Sequence, residues 1–101
     1  MNSHGKGSDR GAALYEALLT LKTPEECYAF FEDLCTVSEQ MAMEQRFEVA
    51  RLLDQGNIYS DVLEKTGVSS ATVSRVKRCL NYGAGGYRLV LGRLGTGEET
   101  E

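Results

Sequence analysis

Tyr59-Ser60-Asp61-Val62-Leu63-Glu64-Lys65-Thr66-Gly67-Val68-Ser69-Ser70-Ala71-Thr72-Val73-Ser74-Arg75-Val76-Lys77-Arg78 reads as two short helices bent around one glycine. Val62 and Leu63 give the first helix an inward face. Val73, Val76 and Leu80 recur at helical spacing and give the second one its own. Gly67 stands at the break, where a tight turn between packed helices asks for positive φ and glycine takes it without a Cβ clash. Val68 then fills the angle, and Ser69 or Ser70 can accept hydrogen bonds from the free amides of the restarting helix. This is the pattern of a helix-turn-helix spanning about 58–80.

With the second helix starting near Ser70, its outward positions are Ser69, Ser70, Ala71, Ser74, Arg75 and Arg78, flanked by Thr72 and Lys77. These groups are small, hydroxylated or cationic, and no carboxylate sits among them. They fit phosphates and base edges, so Ser69, Ser70, Thr72, Ser74, Arg75, Lys77 and Arg78 are the candidate contacts to double-stranded DNA. An ordinary helical hairpin with a solvated basic face is the bland alternative. The inward valines, the glycine, the paired serines and the acid-free face together favour the duplex.

The net charge of −4 conceals a segregation. Residues 1–66 hold six basic and twelve acidic side chains, a net of −6. Residues 67–97 hold Arg75, Lys77, Arg78, Arg88 and Arg93 and no acid, a net of +5, before Glu98, Glu99 and Glu101 close the chain. A phosphate responds to the local potential within a screening length of about 10 Å, so the patch outweighs the total.

A chain of 101 residues with 42% hydrophobic content makes one small domain, and a helical domain of that size often completes its core by pairing with a second copy. Helical periodicity throughout, and one proline placed outside the turn, predict an all-α class. Cys27, Cys35 and Cys79 lie far apart, and the single histidine is His4, so neither a zinc site, a disulfide framework nor any other cofactor is expected. No apolar run approaches the ~20 residues of a membrane span and no signal-peptide core is present, which predicts a cytoplasmic protein.

In chain order, residues 1–8 read as a disordered leader. A first helix is expected from about Asp9, as cap, to Leu21, with an apolar stripe of Ala12, Ala13, Leu14, Ala17, Leu18 and Leu21. Thr23-Pro24-Glu25-Glu26 is a start signal with threonine at the cap, proline first and glutamate returning the bond. It opens a second helix to about Leu34, with Cys27, Phe30, Phe31 and Leu34 inward. Thr36-Val37-Ser38-Glu39 repeats the signal and opens the longest helix, to about Gln55, ended by Gly56. Its apolar residues spread over several faces, as expected of a helix both central and crossing a partner. Asn57 can cap the helix from about Ile58 to Thr66, and the next helix runs to about Leu80. Gly83-Ala84-Gly85-Gly86 predicts a hinge before a last helix from Tyr87 to Leu94, with Leu89, Val90, Leu91 and Leu94 apolar, and 95–101 an acidic flexible tail. The single helical domain is thus expected over 9–94.

The runs Glu25-Glu26-Cys27-Tyr28, Phe30-Phe31-Glu32-Asp33-Leu34-Cys35, Gln45-Arg46-Phe47-Glu48-Val49-Ala50-Arg51 and, most specifically, Ala71 through Gly83 resemble the Trp-repressor-like superfamily, in its YerC/YecD-type branch. The resemblance covers about residues 10–94. It implies a six-helix protomer, an intertwined homodimer and a DNA-binding transcriptional regulator or repressor. Such a dimer sets two recognition helices about one duplex turn, roughly 34 Å, apart on a near-palindromic operator. In the tryptophan-binding members two arginines and a glycine sandwich the indole. Arg75 matches the second arginine, while Phe47 stands for the first and Val76 for the glycine. The resemblance therefore implies an effector pocket at Arg46, Phe47, Arg75, Val76 and Cys79 that does not suit tryptophan.

Two further readings follow from the same residues. One is a helical protein-interaction module binding an acidic partner through the basic face. The other is a regulator responsive to a small molecule other than tryptophan. Nothing in the chain resembles a nucleophile–base pair or a cofactor fingerprint, so no enzyme is expected.

Overall fold

The computed structural model describes residues 10–99, with side-chain detail through residue 95. Six helices follow one another: α1 (Ala12–Leu18), α2 (Pro24–Leu34), α3 (Val37–Asp54), α4 (Tyr59–Thr66), α5 (Ser70–Tyr82) and α6 (Gly86–Glu99). They fall into two compact units, the first ending at Gln40 and the second beginning at Met41, with the α3 helix running through both. The leader, the Asp9 cap and the last two residues lie outside the described residues.

In the first unit, α1 is shorter than its apolar stripe predicts. It starts after Gly11, whose φ of 81° serves as an N-cap without a side-chain bond, and it stops at Leu18 rather than Leu21. The cause is Thr20: its hydroxyl donates to the Ala17 carbonyl (2.7 Å), and the amides of Thr20 and Leu21 pair three residues back, tightening the chain out of the α-helix. At α2, Thr23 Oγ accepts from the Glu26 amide (3.1 Å), as its sequence predicts. The Glu26 carboxylate accepts from Lys22 N (2.8 Å), one residue before the cap, so the reciprocal bond is displaced. The box at α3 closes fully, with Glu39 N donating to Thr36 Oγ1 (3.1 Å) and Thr36 N to Glu39 Oε1 (2.8 Å). Phe30 and Phe31 meet edge to face at 5.8 Å. Neither α1 nor α2 buries a residue, and Leu34, expected inside, is half exposed.

The second unit holds the core. Val49, Ala50 and Leu52 of α3, Val62 of α4, Val73, Val76 and Leu80 of α5 and Leu91 of α6 are buried together, with Phe47, Leu53, Leu63, Val68 and Tyr87 packed against them. Four of these are valines with essentially no exposure, each contributing on the order of 1.5–3 kcal/mol through removal from water. Asn57 caps the helix before it rather than the one after. Its amide N and Nδ2 both donate to the Leu52 carbonyl (3.1 and 3.0 Å), and its Oδ1 accepts from Lys65 Nζ (2.9 Å), while Ile58 stands at the N-cap of α4, which therefore has no side-chain cap. Helix α5 continues to Tyr82, and α6 starts at Gly86 and runs to Glu99, beyond the expected end at Leu94. Of its four apolar residues only Leu91 enters the core; Leu89, Val90 and Leu94 stay on the surface. On α3, the Arg51 guanidinium bonded to Glu48 holds that carboxyl below its ordinary range, a pair exposed enough for solvent and salt to screen it.

Candidate nucleic-acid interface

The turn between α4 and α5 is built as its sequence requires. Gly67 takes φ 71°, and its amide donates to the Leu63 carbonyl (2.9 Å), ending α4 in the left-handed conformation that glycine enters without strain. A Cβ at Gly67 would meet nothing within 4 Å, so backbone conformation alone selects the residue. Thr66 Oγ1 donates to the Val62 carbonyl (2.7 Å) and accepts from Val68 N (3.4 Å). Ser69 is the N-cap of α5, its Oγ accepting from Thr72 N at 3.1 Å. Tyr59 Oη donates to the Ser70 carbonyl (3.2 Å), a tie between the two helices that the sequence pattern does not reveal.

With Val73, Val76 and Leu80 locked inward, α5 turns the rest of its surface to solvent. Ser70, Ser74, Arg75, Lys77 and Arg78 are exposed. None of the three cations makes a hydrogen bond or ion pair among the described residues, so their charge is available. The hydroxyls divide. Ser69 and Thr72 pair with each other at 3.1 Å as part of the cap, which leaves Ser70 and Ser74 as the open donors. The cations divide too, because at ~100° per residue Lys77 lies about 200° around the helix from Arg75, whereas Arg78 lies only about 60° away. Arg75 and Arg78 share one flank. Lys77 borders a cleft on the other, near Asn57, Ile58, Tyr59 and Arg88.

A cavity of about 180 Å³ opens beside Arg75, lined by Ala42, Gln45 and Arg46 of α3 and Ala71, Thr72 and Arg75 of α5. It contains two of the five residues expected to form an effector pocket, Arg46 and Arg75. Phe47 packs against the core and Val76 is buried within it, so neither lines this space, and Cys79 is exposed outside it. Gln45, not Phe47, borders this space with Arg75. Arg46 also acts toward α6. Burial pushes the Tyr87 phenol above its ordinary pKa and the Arg46 charge partly offsets the rise, with Cys79 adding to it. Among the described residues no group of His, Cys, Asp or Glu could hold a metal ion, and no helix is long and apolar enough to cross a membrane.

Residues 11–95 match the family model of the Trp repressor protein. The chain belongs to the Trp repressor family. It is 52% identical over 88 residues to YerC of Bacillus subtilis (strain 168), covering 87% of this chain and 82% of that one. Its fold is similar to that of a TrpR-like protein from Eubacterium eligens ATCC 27750, with a TM-score of 0.80 at 47% identity over 92% and 94% of the two chains. It is also similar to a candidate Trp repressor from Staphylococcus aureus, with a TM-score of 0.81 at 44% identity over 98% and 100%. The protomer is therefore the all-α, six-helix, helix-turn-helix fold of this family of DNA-binding transcription regulators, which are not enzymes. In this Trp repressor family member α5 is the second helix of the helix-turn-helix.

Proposed function

We propose that the protein is a cytoplasmic, sequence-specific transcription regulator that binds a near-palindromic operator as a homodimer, with one α5 per half-site in the major groove. The observation that carries this reading is the solvent face of α5: Arg75 and Arg78 unpaired, Ser70 and Ser74 exposed, no acid in its first turn, and its opposite face fixed by three buried side chains. Cations without an internal partner lose no ion pair on meeting phosphate, and a guanidinium can pair with two acceptors on a guanine edge. Pairing of protomers is supported by the absence of any buried residue in α1 and α2 and by Leu19, Tyr28, Leu34 and Met41 standing half or more exposed on the surface.

Titration of a duplex selected from random sequence by the purified protein, repeated across salt concentrations, tests the assignment. Arg75→Ala weakens binding by about 1–3 kcal/mol if this side chain reads a base, and Lys77→Ala lowers the slope of log K against log salt by about one if it touches phosphate. Unchanged affinity and slope in both variants would remove this surface from the interface.

The cavity beside Arg75 favours a second reading, in which a small molecule other than tryptophan tunes the same surface. Two guanidiniums with the Gln45 side-chain amide suit an anionic group, and Arg75 would belong to both ligand and operator. A shift in unfolding temperature on adding amino acids or organic acids detects such binding, and Arg46→Ala should abolish it.

A further inference from the structure

Arg88 sits in the acid-free segment and by sequence counts toward the charge offered to DNA, but the fold uses it otherwise. Its Nε donates to the Leu80 carbonyl (3.1 Å), one terminal nitrogen to Asp54 Oδ1 (3.1 Å) and the other to Asn81 Oδ1 (3.3 Å). One planar guanidinium thus joins three helices: α6, which carries it, the last residue of α3, and the C-terminal turns of α5. A cation at that end of α5 also opposes the negative pole of the helix and satisfies a carbonyl near its terminus. Gly83, Ala84 and Gly85 separate α5 from α6, and Gly85 takes φ 91°.

Resting on the operator reading above, we infer that Arg88 is a positioning residue for DNA recognition: it sets the angle at which α5 is presented, without itself touching the duplex. The buried valines hold α5 against the core, but their apolar contacts are not directional. The guanidinium fork fixes direction, because its donors lie in one plane and each has its own acceptor. The Asp54 contact is a partly exposed ion pair worth little to global stability. Its loss should therefore register in recognition more than in folding.

The experiment uses the full-length protein and the duplex selected by the wild type. Arg88→Ala is expected to lower affinity for that duplex roughly tenfold, within the range of coupling between distinct sites, and to leave the salt slope unchanged. Asp54→Ala should give a smaller loss in the same direction, and the double variant should be no weaker than Arg88→Ala. Arg88→Lys keeps the charge but not the fork, and should recover only part of the affinity. Circular dichroism checks that each variant is folded; should Arg88→Ala not fold, Arg88→Lys and Asp54→Ala carry the test. A folded Arg88→Ala protein with wild-type affinity overturns the inference, as does full recovery in Arg88→Lys. A salt slope reduced by about one overturns it in favour of a direct phosphate contact. A wild-type protein that selects no duplex overturns the operator reading and this one with it, whereas normal selection by the wild type and by the variants alike overturns this one alone.

Discussion

Ser69 shows how a single side chain sets the start of α5. Its Oγ accepts the Thr72 amide, and the Thr72 hydroxyl returns to Ser69, so an orphan donor and two hydroxyls are satisfied in one turn. Ser69→Ala should cost about 1 kcal/mol of stability, read from the urea midpoint, and should leave Ser70 and Ser74 in place for DNA. Gly67 is fixed on different grounds, by backbone conformation and not by crowding, and both demands were legible in the sequence because each follows from a residue and its immediate neighbours. Asn57 was not legible in this way. A side-chain amide between two helices can serve either one, and only the geometry shows that it closes α3 and holds Lys65.

At the level of the helices, the end of α5 is as closely specified as its start. The amide of Gly83 donates to the Cys79 carbonyl (2.9 Å), and a Cβ at Gly83 would press against that same carbonyl, with Cys79 Cα 3.1 Å away. Since the obstacle is backbone, the last turn must open to admit a side chain. Gly83→Ala should cost about 1–3 kcal/mol and speed amide exchange at the C-terminal end of α5, measured by hydrogen–deuterium exchange. The six helices and the inward valines followed from apolar spacing, since a buried stripe imposes a period of 3.6 on the residues that fill it. What spacing did not reveal was contact between distant elements: Arg88 reaches Asp54 across 34 positions, and Tyr59 reaches Ser70 across 11. Which residue of α3 borders the cavity beside Arg75 was not legible for a related reason. Gln45 and Phe47 lie about 200° apart on one helix, and the phase of α3 against α5 decides which of them meets the cavity.

For the whole molecule, the apolar side chains left on the surface carry the strongest expectation. Leu89, Val90 and Leu94 belong to an apolar stripe in the sequence, which implies a cover without naming its source, and among the described residues of the protomer all three stand exposed. If a second copy supplies it for these and for the residues of α1 and α2, the unfolding temperature should climb with protein concentration, and sedimentation should give twice the protomer mass of 11.1 kDa. A concentration-independent melt at the protomer mass would leave those faces for another partner. The first turn of α5, which carries no acid, has its own consequence for the intact protein. A negative charge there is among the cheapest ways to strengthen a helix, at about 0.3–1 kcal/mol, yet it would repel a nucleic-acid phosphate. Ser70→Glu should thus raise the melting point and abolish operator binding together, so that selection for folding alone and selection for regulation would pull this one position in opposite directions.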